Sequence, residues 1–320
     1  MKYLITGGAG FMGAKLTEKL IKDKKNKIYI IDNFSKETGN KDLLNLFKNK
    51  NVKLIQKNLN QISEFLKIYN FDYIFHFAAI LGVKNVIHNP LKTLKENILT
   101  TINLINFAKK QKKLKKICFT STSEVYAYSL KKKIAKYPTP ENIDFLISKD
   151  LNPRSSYLLS KIVGEYLLNY SRLNFVIFRP HNIFGPQMGF VHVIPQIINK
   201  MLKNKKRKII IHNSNHKRTF CEIGFAIELM INIAHHKKLK NKIFNIGSPD
   251  KEITIMNLAQ KIKKILKTKN KLMHSNLKKD NSPEKRKPDM KRSIGFTKRN
   301  HNFEEGLKET VMWYKRYYTK

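Results

Sequence analysis

Tyr157 and Lys161 form a Y-x-x-x-K spacing, which on a helix sets both side chains on one face. A phenol beside an ammonium is a proton-transfer pair: the cation favours the phenolate, which can take a hydroxyl proton as a hydride leaves the same carbon. The spacing alone says little, because in a chain this rich in Tyr and Lys about two such pairs arise by chance. Tyr128 and Lys132 form the other one. Context separates them, since Tyr157 opens a long amphipathic pattern whereas Tyr128 falls in a lysine-rich stretch that reads as loop. Upstream, Thr120-Ser121-Thr122-Ser123-Glu124-Val125-Tyr126 supplies a hydroxyl, Thr122, able to bridge a substrate hydroxyl and Tyr157. It also supplies a carboxylate, Glu124, able to act as base toward a carbon acid.

A second constellation lies at the N-terminus. Gly7-Gly8-Ala9-Gly10-Phe11-Met12-Gly13 follows the apolar run Lys2–Thr6 and opens a helical pattern. Glycines allow a tight turn and close backbone approach, and a helix N-terminus offers N–H donors and a positive dipole to a pyrophosphate. Asp32 ends the next apolar run, about 20 residues further on, where a carboxylate accepts ribose hydroxyls and repels a 2′-phosphate. That favours NAD over NADP, with Lys36 the nearby cation able to tolerate the extra phosphate.

These residues need a scaffold, and the hydrophobic pattern describes one. Lys2–Thr6, Lys27–Asp32, Val52–Gln56, Asp72–Phe77, Lys116–Ser121 and Asn174–Arg179 read as strands. Met12–Lys22, Leu91–Lys110 and Ser155–Ser171 read as helices between them. The alternation predicts an α/β protein with a doubly wound parallel sheet, whose strand C-termini line a ligand crevice. After Pro180 the rhythm loosens into a smaller mixed α/β lobe, so residues 1–179 and 180–320 are the expected domains, with some crossing of the chain between them. Lys278–Pro288 reads as a loop.

The net charge of +41 on 320 residues is extreme, and it is a lysine excess: nine of the 64 basic residues are Arg and the other 55 are Lys. The lysines form short runs spread along the chain between apolar segments, as a solvated coat does. A nucleic-acid or anionic-membrane surface is the competing reading, but no element concentrates Arg and aromatic residues as a recognition motif would. Two cysteines, Cys118 and Cys221, exclude a disulfide framework and a cysteine-rich zinc site; no metal centre is expected. The absence of a spanning segment or signal-peptide pattern points to a cytoplasmic protein without a membrane partner.

Together with His76-Phe77-Ala78-Ala79, Asn97, Arg179-Pro180-His181-Asn182-Ile183-Phe184-Gly185-Pro186, Arg218-Thr219-Phe220, Asn245-Ile246-Gly247 and Arg286-Lys287-Pro288-Asp289, these motifs resemble the extended short-chain dehydrogenase/reductases, specifically the NAD-dependent nucleotide-sugar epimerase/dehydratase group. The resemblance covers nearly the whole chain. It implies a Rossmann-like N-terminal domain with NAD held by Gly7, Gly10, Phe11, Met12, Gly13, Asp32, Asn33, Asn58, Leu59, Ala78, Ala79, Asn97, Ser121, Tyr157, Lys161 and Pro180. It implies a C-terminal lobe that holds a nucleoside-diphosphate sugar through Asn182, Arg218 and Arg286. A homodimer through the helices matching Leu91–Lys110 and Ser155–Ser171 is implied too, with no specific nucleic-acid partner. The chain departs from the family's pattern at Asn58, where an Asp usually contacts the adenine, at Ala127 in place of Gly, and at Glu222-Ile223-Gly224 in place of an aromatic-Asp-Asp run.

The resemblance implies a catalytic set of Tyr157, Lys161, Thr122, Ser123 and Glu124, and a first step that oxidises C4 of the sugar to a 4-keto intermediate. Dehydratases of dTDP-glucose carry Asp where Ser123 stands. Thr-Ser-Glu resembles UDP-glucuronate decarboxylases and GDP-mannose dehydratases, whereas simple 4-epimerases usually lack the Glu. Dehydration or decarboxylation is therefore expected ahead of 4-epimerisation. A non-catalytic NAD- or RNA-binding protein on the same fold is the rival from another class, and such a module has no need of Thr122, Tyr157 and Lys161 together.

Overall fold

The computed structural model describes residues 1–35, 41–62, 70–149, 152–203, 208–275 and 283–318. Lys36 and residues 278–282 of the Lys278–Pro288 stretch lie outside them. Two compact units are present: residues 1–128, 144–180 and 227–244 form one, and residues 129–143, 181–226 and 245–320 form the other.

The first unit is built on seven strands: β1 (Lys2–Thr6), β2 (Lys27–Asp32), β3 (Val52–Gln56), β4 (Tyr73–His76), β5 (Lys116–Thr120), β6 (Phe175–Pro180) and β7 (Lys242–Ile246). Their order in the sheet is β7–β6–β5–β4–β1–β2–β3, the doubly wound Rossmann-like arrangement, with parallel pairing from β3 through β6. Tyr73–His76 and Lys116–Thr120 are buried at every position, which is why they read as continuous apolar runs. The order reverses between β1 and β4, so the turn leaving β1 and the turn leaving β5 belong to the same end of the sheet.

Three helices position the candidate residues: α1 (Phe11–Leu20), α2 (Pro90–Lys109) and α3 (Ser155–Asn169). Proline at the first position of α2 starts that helix where its missing N–H costs nothing. α2 and α3 pack along one another. Beneath them Ile74, Ile117, Phe119, Phe175 and Ile177 form a core with Leu104, Ile105, Phe107 and Leu168 of the helices. Gly164 brings α3 close to the sheet, since a Cβ there would lie 3.1 Å from two atoms of the Phe119 ring.

The second unit carries helices α4 (Val193–Lys203), α6 (Ile255–Leu266) and α7 (Phe303–Tyr318), which pack on one another. Between α4 and α6 in the chain, helix α5 (Ile223–His235) runs out of this unit into the first. Glu222, at the departure from the aromatic-Asp-Asp run, caps α5: its carboxylate accepts the N–H groups of Gly224 and Phe225 and binds Arg299 at 3.0 Å. Lys217–Arg218 pairs in parallel with Lys285–Arg286, so part of the expected 278–288 loop is strand.

Tyr128 differs from its sequence reading. It lies in a short helix, Ala127–Lys131, and its hydroxyl bonds Ser155 Oγ at 3.0 Å, at the start of α3. The neighbouring lysines suggested a loop, but Ser129 is fully buried and anchors the turn.

Candidate active site

The first unit gathers the catalytic candidates at the C-terminal ends of β4 and β5. Thr120 ends β5, and Thr122 then caps a short 3-10 turn, Ser123–Tyr126, by accepting the N–H of Glu124 at 3.2 Å. Val125 and Tyr126 are buried and anchor the turn, leaving Thr122 and Glu124 half-buried. From the other side α3 delivers Tyr157, whose phenol lies near enough to the Thr122 side chain to be lowered by it. Lys161, one turn on, is 3 % exposed and donates to the carbonyl of Thr120 at 2.8 Å. Its ammonium lies 5.8 Å from the Tyr157 ring centroid and 4.9 Å from that of Phe119.

The electrostatics depart from the simple expectation that the ammonium lowers the phenol. Burial is the largest influence on Tyr157 and pushes it up; the Glu124 carboxylate adds to that, and the Thr122 side chain opposes it. Burial pulls Lys161 down to about 7, with Glu165 acting the other way. By its own residues the protein therefore holds a neutral tyrosine beside a lysine that is easily deprotonated. Extra positive charge at this point would lower Tyr157.

The residues present fit a dinucleotide. Gly7 has φ +69°, and a Cβ there would meet the backbone N of Ala78 at 2.6 Å, so the turn after β1 and the run after β4 touch through a space only glycine leaves open. A Cβ on Gly13 would meet the Gly7 carbonyl oxygen at 2.5 Å. Gly10 precedes α1 without any side-chain cap, which leaves the first N–H groups of the helix, at Phe11 and Met12, for an anion. Asp32 holds this turn in place: one carboxylate oxygen accepts from Ala9 N at 2.9 Å and the other from Phe34 N at 2.8 Å. Each oxygen keeps acceptor capacity for a ribose hydroxyl.

Asn97 is 4 % exposed and is spent on structure. It accepts from Ile80 N at 2.7 Å and donates to Ile80 O and Ser160 Oγ, pinning the run Ala78–Ile80 to α2 and α3. Asn58 accepts the N–H of Asn60 and starts the turn that buries Leu59. Asn33 is exposed, Ala79 and Pro180 are half-buried, and Ser123 is buried. Ser121 donates to Glu165, a partner that sequence reasoning did not identify.

In the second unit Arg218 and Arg286 are register partners on neighbouring parallel strands, so their side chains leave the sheet on the same face. Arg218 is 7 % exposed and donates to the carbonyls of Lys217 and Pro283. Tyr137, another residue the sequence did not signal, bonds Lys285 O at 2.8 Å and feels both arginines. Asn182, at φ +44°, donates to Thr219 O at 2.9 Å. Among the described residues no helix is long and apolar enough to cross a membrane, and no group of three His, Cys, Asp or Glu side chains could hold a metal ion.

Comparison with known proteins agrees with this arrangement. The model of the NAD dependent epimerase/dehydratase family matches residues 3–247. A UDP-N-acetyl-alpha-D-glucosaminuronate decarboxylase of Bacillus cytotoxicus is 32% identical, over 98% of this chain and 97% of its own. A putative UDP-glucose 4-epimerase of Methanocaldococcus jannaschii is 33% identical over 81% of each. Among solved structures, a UDP-N-acetylglucosamine 4-epimerase from Methanobrevibacter ruminantium, in complex with UDP-N-acetylmuramic acid, superposes with a TM-score of 0.82 at 25% identity, covering 99% of this chain and 98% of that one. With the family's glycine turn, its Tyr-x-x-x-Lys helix and its sheet order all in place, the chain belongs to the NAD-dependent epimerase/dehydratase family.

Proposed function

We propose that this enzyme decarboxylates a UDP-hexuronate through a 4-keto intermediate. The observation that carries the reading is Glu124 in a Thr-Ser-Glu turn whose Thr122 acts on Tyr157, in a chain 32% identical to a UDP-N-acetyl-alpha-D-glucosaminuronate decarboxylase over almost its full length. Tyr157 takes the C4 hydroxyl proton, with Thr122 aligning the two oxygens. NAD, when bound, would accept the C4 hydride and return it at the end, and its nicotinamide charge is the positive charge that Tyr157 needs. A C4 ketone makes the C6 carboxylate a β-keto acid, so carbon dioxide leaves and its bonding electrons pass to the C4 oxygen. The Tyr157 and Thr122 hydroxyls stabilise that oxygen. Decarboxylation of a carboxylate consumes one proton, which Glu124 takes up from water and passes to C5.

In this reading the first unit holds NAD, with Gly7, Gly10, Phe11, Met12 and Gly13 on the pyrophosphate and Asp32 on the adenosine ribose. The second unit grips the nucleotide sugar, with the adjacent Arg218 and Arg286 on the diphosphate and Asn182 beside them. We place the enzyme in the cytoplasm as a homodimer through α2 and α3, where Tyr166 and Tyr170 are exposed. Size-exclusion chromatography with light scattering checks that assembly.

The test is incubation of purified protein with UDP-glucuronate, UDP-N-acetylglucosaminuronate, UDP-glucose, GDP-mannose and dTDP-glucose, followed by product mass. Loss of carbon dioxide from a uronate supports the proposal. Loss of water, or an unchanged mass with an inverted C4, replaces it with dehydration or with the 4-epimerisation named for the Methanocaldococcus relative. Unchanged substrates together with no bound nicotinamide overturn the enzyme reading.

A further inference from the structure

Arg179 is the largest fully buried side chain among the described residues. Its Nε donates to Glu165 Oε1 at 2.9 Å and its Nη2 to Oε2 at 2.6 Å, a two-pronged pair with side chains 2% and 5% exposed. Nη1 donates to the Tyr126 hydroxyl at 2.8 Å, and the guanidinium lies 5.0 and 4.9 Å from the Tyr126 and Phe145 ring centroids. Ser121 Oγ also donates to Glu165 Oε1. One ionic cluster thus ties α3, the end of β6, the exit from β5 and the turn that carries Thr122 and Glu124.

Stability alone does not account for it. A buried ion pair gains little over apolar side chains of the same volume, because desolvating both charges offsets their attraction. Its location is more informative. Glu165 is one turn beyond Lys161 on the same face of α3, and the two grip consecutive residues: Lys161 the Thr120 carbonyl, Glu165 the Ser121 hydroxyl. The other groups facing Lys161 bring no negative charge: the Phe119 ring on β5, the phenol of Tyr157, and on β4 His76, which burial and Lys161 hold neutral. Glu165 is the carboxylate that acts on Lys161, opposing the effect of burial.

We propose that Glu165, clamped by Arg179, is a positioning residue of the reaction: it locks α3 against the Thr122–Glu124 turn and supplies the negative charge that the buried Lys161 ammonium requires. This rests on the reading of Tyr157 and Lys161 given above.

The test compares wild type, Glu165→Gln and the double variant Glu165→Gln/Arg179→Gln in thermal unfolding, in kcat/KM against pH, and in NADH affinity against pH by fluorescence. Glu165→Gln strands a buried guanidinium and lowers Tm; the double variant regains most of that loss. Glu165→Gln moves the basic limb of kcat/KM to lower pH by about one unit, the double variant, which also loses the Arg179 charge, moves it the same way by less, and both lose NADH affinity above neutral pH. A purely structural cluster predicts that the double variant recovers the wild-type pH profile along with its Tm, and that result overturns the proposal. Should the ion-pair variants not fold, Ser121→Ala decides, since it removes one hydrogen bond from Glu165: a smaller shift in the same direction supports the proposal, and an unmoved limb overturns it. Tyr157→Phe distinguishes the two levels. If it stays active, the reading of the site fails; if it is inactive while the double variant keeps the wild-type profile, only the role of Glu165 fails.

Discussion

Gly164→Ala tests whether helix-on-strand packing positions the catalytic pair. Gly164 sits on the buried face of α3, three residues beyond Lys161, over the Phe119 ring. A Cβ there would stand 3.1 Å from Cε1 and Cε2 of that ring and closer still to Cζ. Phe119 is 1% exposed and packed in the central core, so its ring has nowhere to swing, and the helix must lift instead. Alanine gains about 1 kcal/mol over glycine in helix propensity, and overpacking costs about 1–3 kcal/mol, for a net loss of about 0–2 kcal/mol. At about 2–4 °C per kcal/mol, Tm falls by no more than about 8 °C. Activity is affected more, because α3 carries both Tyr157 and Lys161, and misplacement of a catalytic group by about 1 Å costs on the order of a hundredfold. The assay is kcat at saturating substrate beside thermal unfolding, with Gly164→Ala/Phe119→Leu as the relief variant. The expected result is a kcat loss of about ten- to a hundredfold with a small Tm loss, partly restored in the double variant. A Gly164→Ala protein more stable than wild type with unchanged kcat would refute the reasoning.

Three further outcomes follow from the site. Burial holds Lys161 near 7 in the folded protein, against about 10.4 in an unfolded chain, so between those values the unfolded state binds more protons and stability falls as pH drops from about 10 to about 7. Lys161→Met removes this dependence and raises Tm at neutral pH while abolishing turnover, which unfolding scans against pH and a turnover assay measure together. Asp32→Ser weakens NADH binding and narrows its preference over NADPH, read by fluorescence titration of both, because the carboxylate that excludes a 2′-phosphate is gone. Raising ionic strength from about 0.05 to 0.5 M increases KM for the anionic nucleotide sugar with kcat little changed, because the +41 charge steers substrate through a screened field.

Much of the first unit was legible because buried parallel strands leave continuous apolar runs. Lys2–Thr6, Lys27–Asp32 and Val52–Gln56 fall where the pattern places them, and Asp72–Phe77 is trimmed by one residue at each end. Lys116–Ser121 stops at Thr120, and the side chain of Ser121 bonds Glu165, a partner 44 residues away that no local pattern reveals. The Tyr157–Lys161 pair was legible from its helical face, but not its electrostatics: spacing shows the ammonium, and only the fold shows the burial and the Glu124 charge that raise the phenol. The pairing of Arg218 with Arg286 was hidden for the same reason, because register between distant strands is a tertiary property. Glu222 looked like a local departure and is a helix cap joined to Arg299, which lies 77 residues further along.

The most direct measurement supplies UDP-glucuronate and UDP-N-acetylglucosaminuronate carrying carbon-13 at C6 and follows both headspace gas and nucleotide product. The account predicts labelled carbon dioxide and an unlabelled UDP-pentose or 4-keto sugar from at least one of them, with neither formed by Tyr157→Phe. Full retention of the label in a C4-inverted uronate would contradict it.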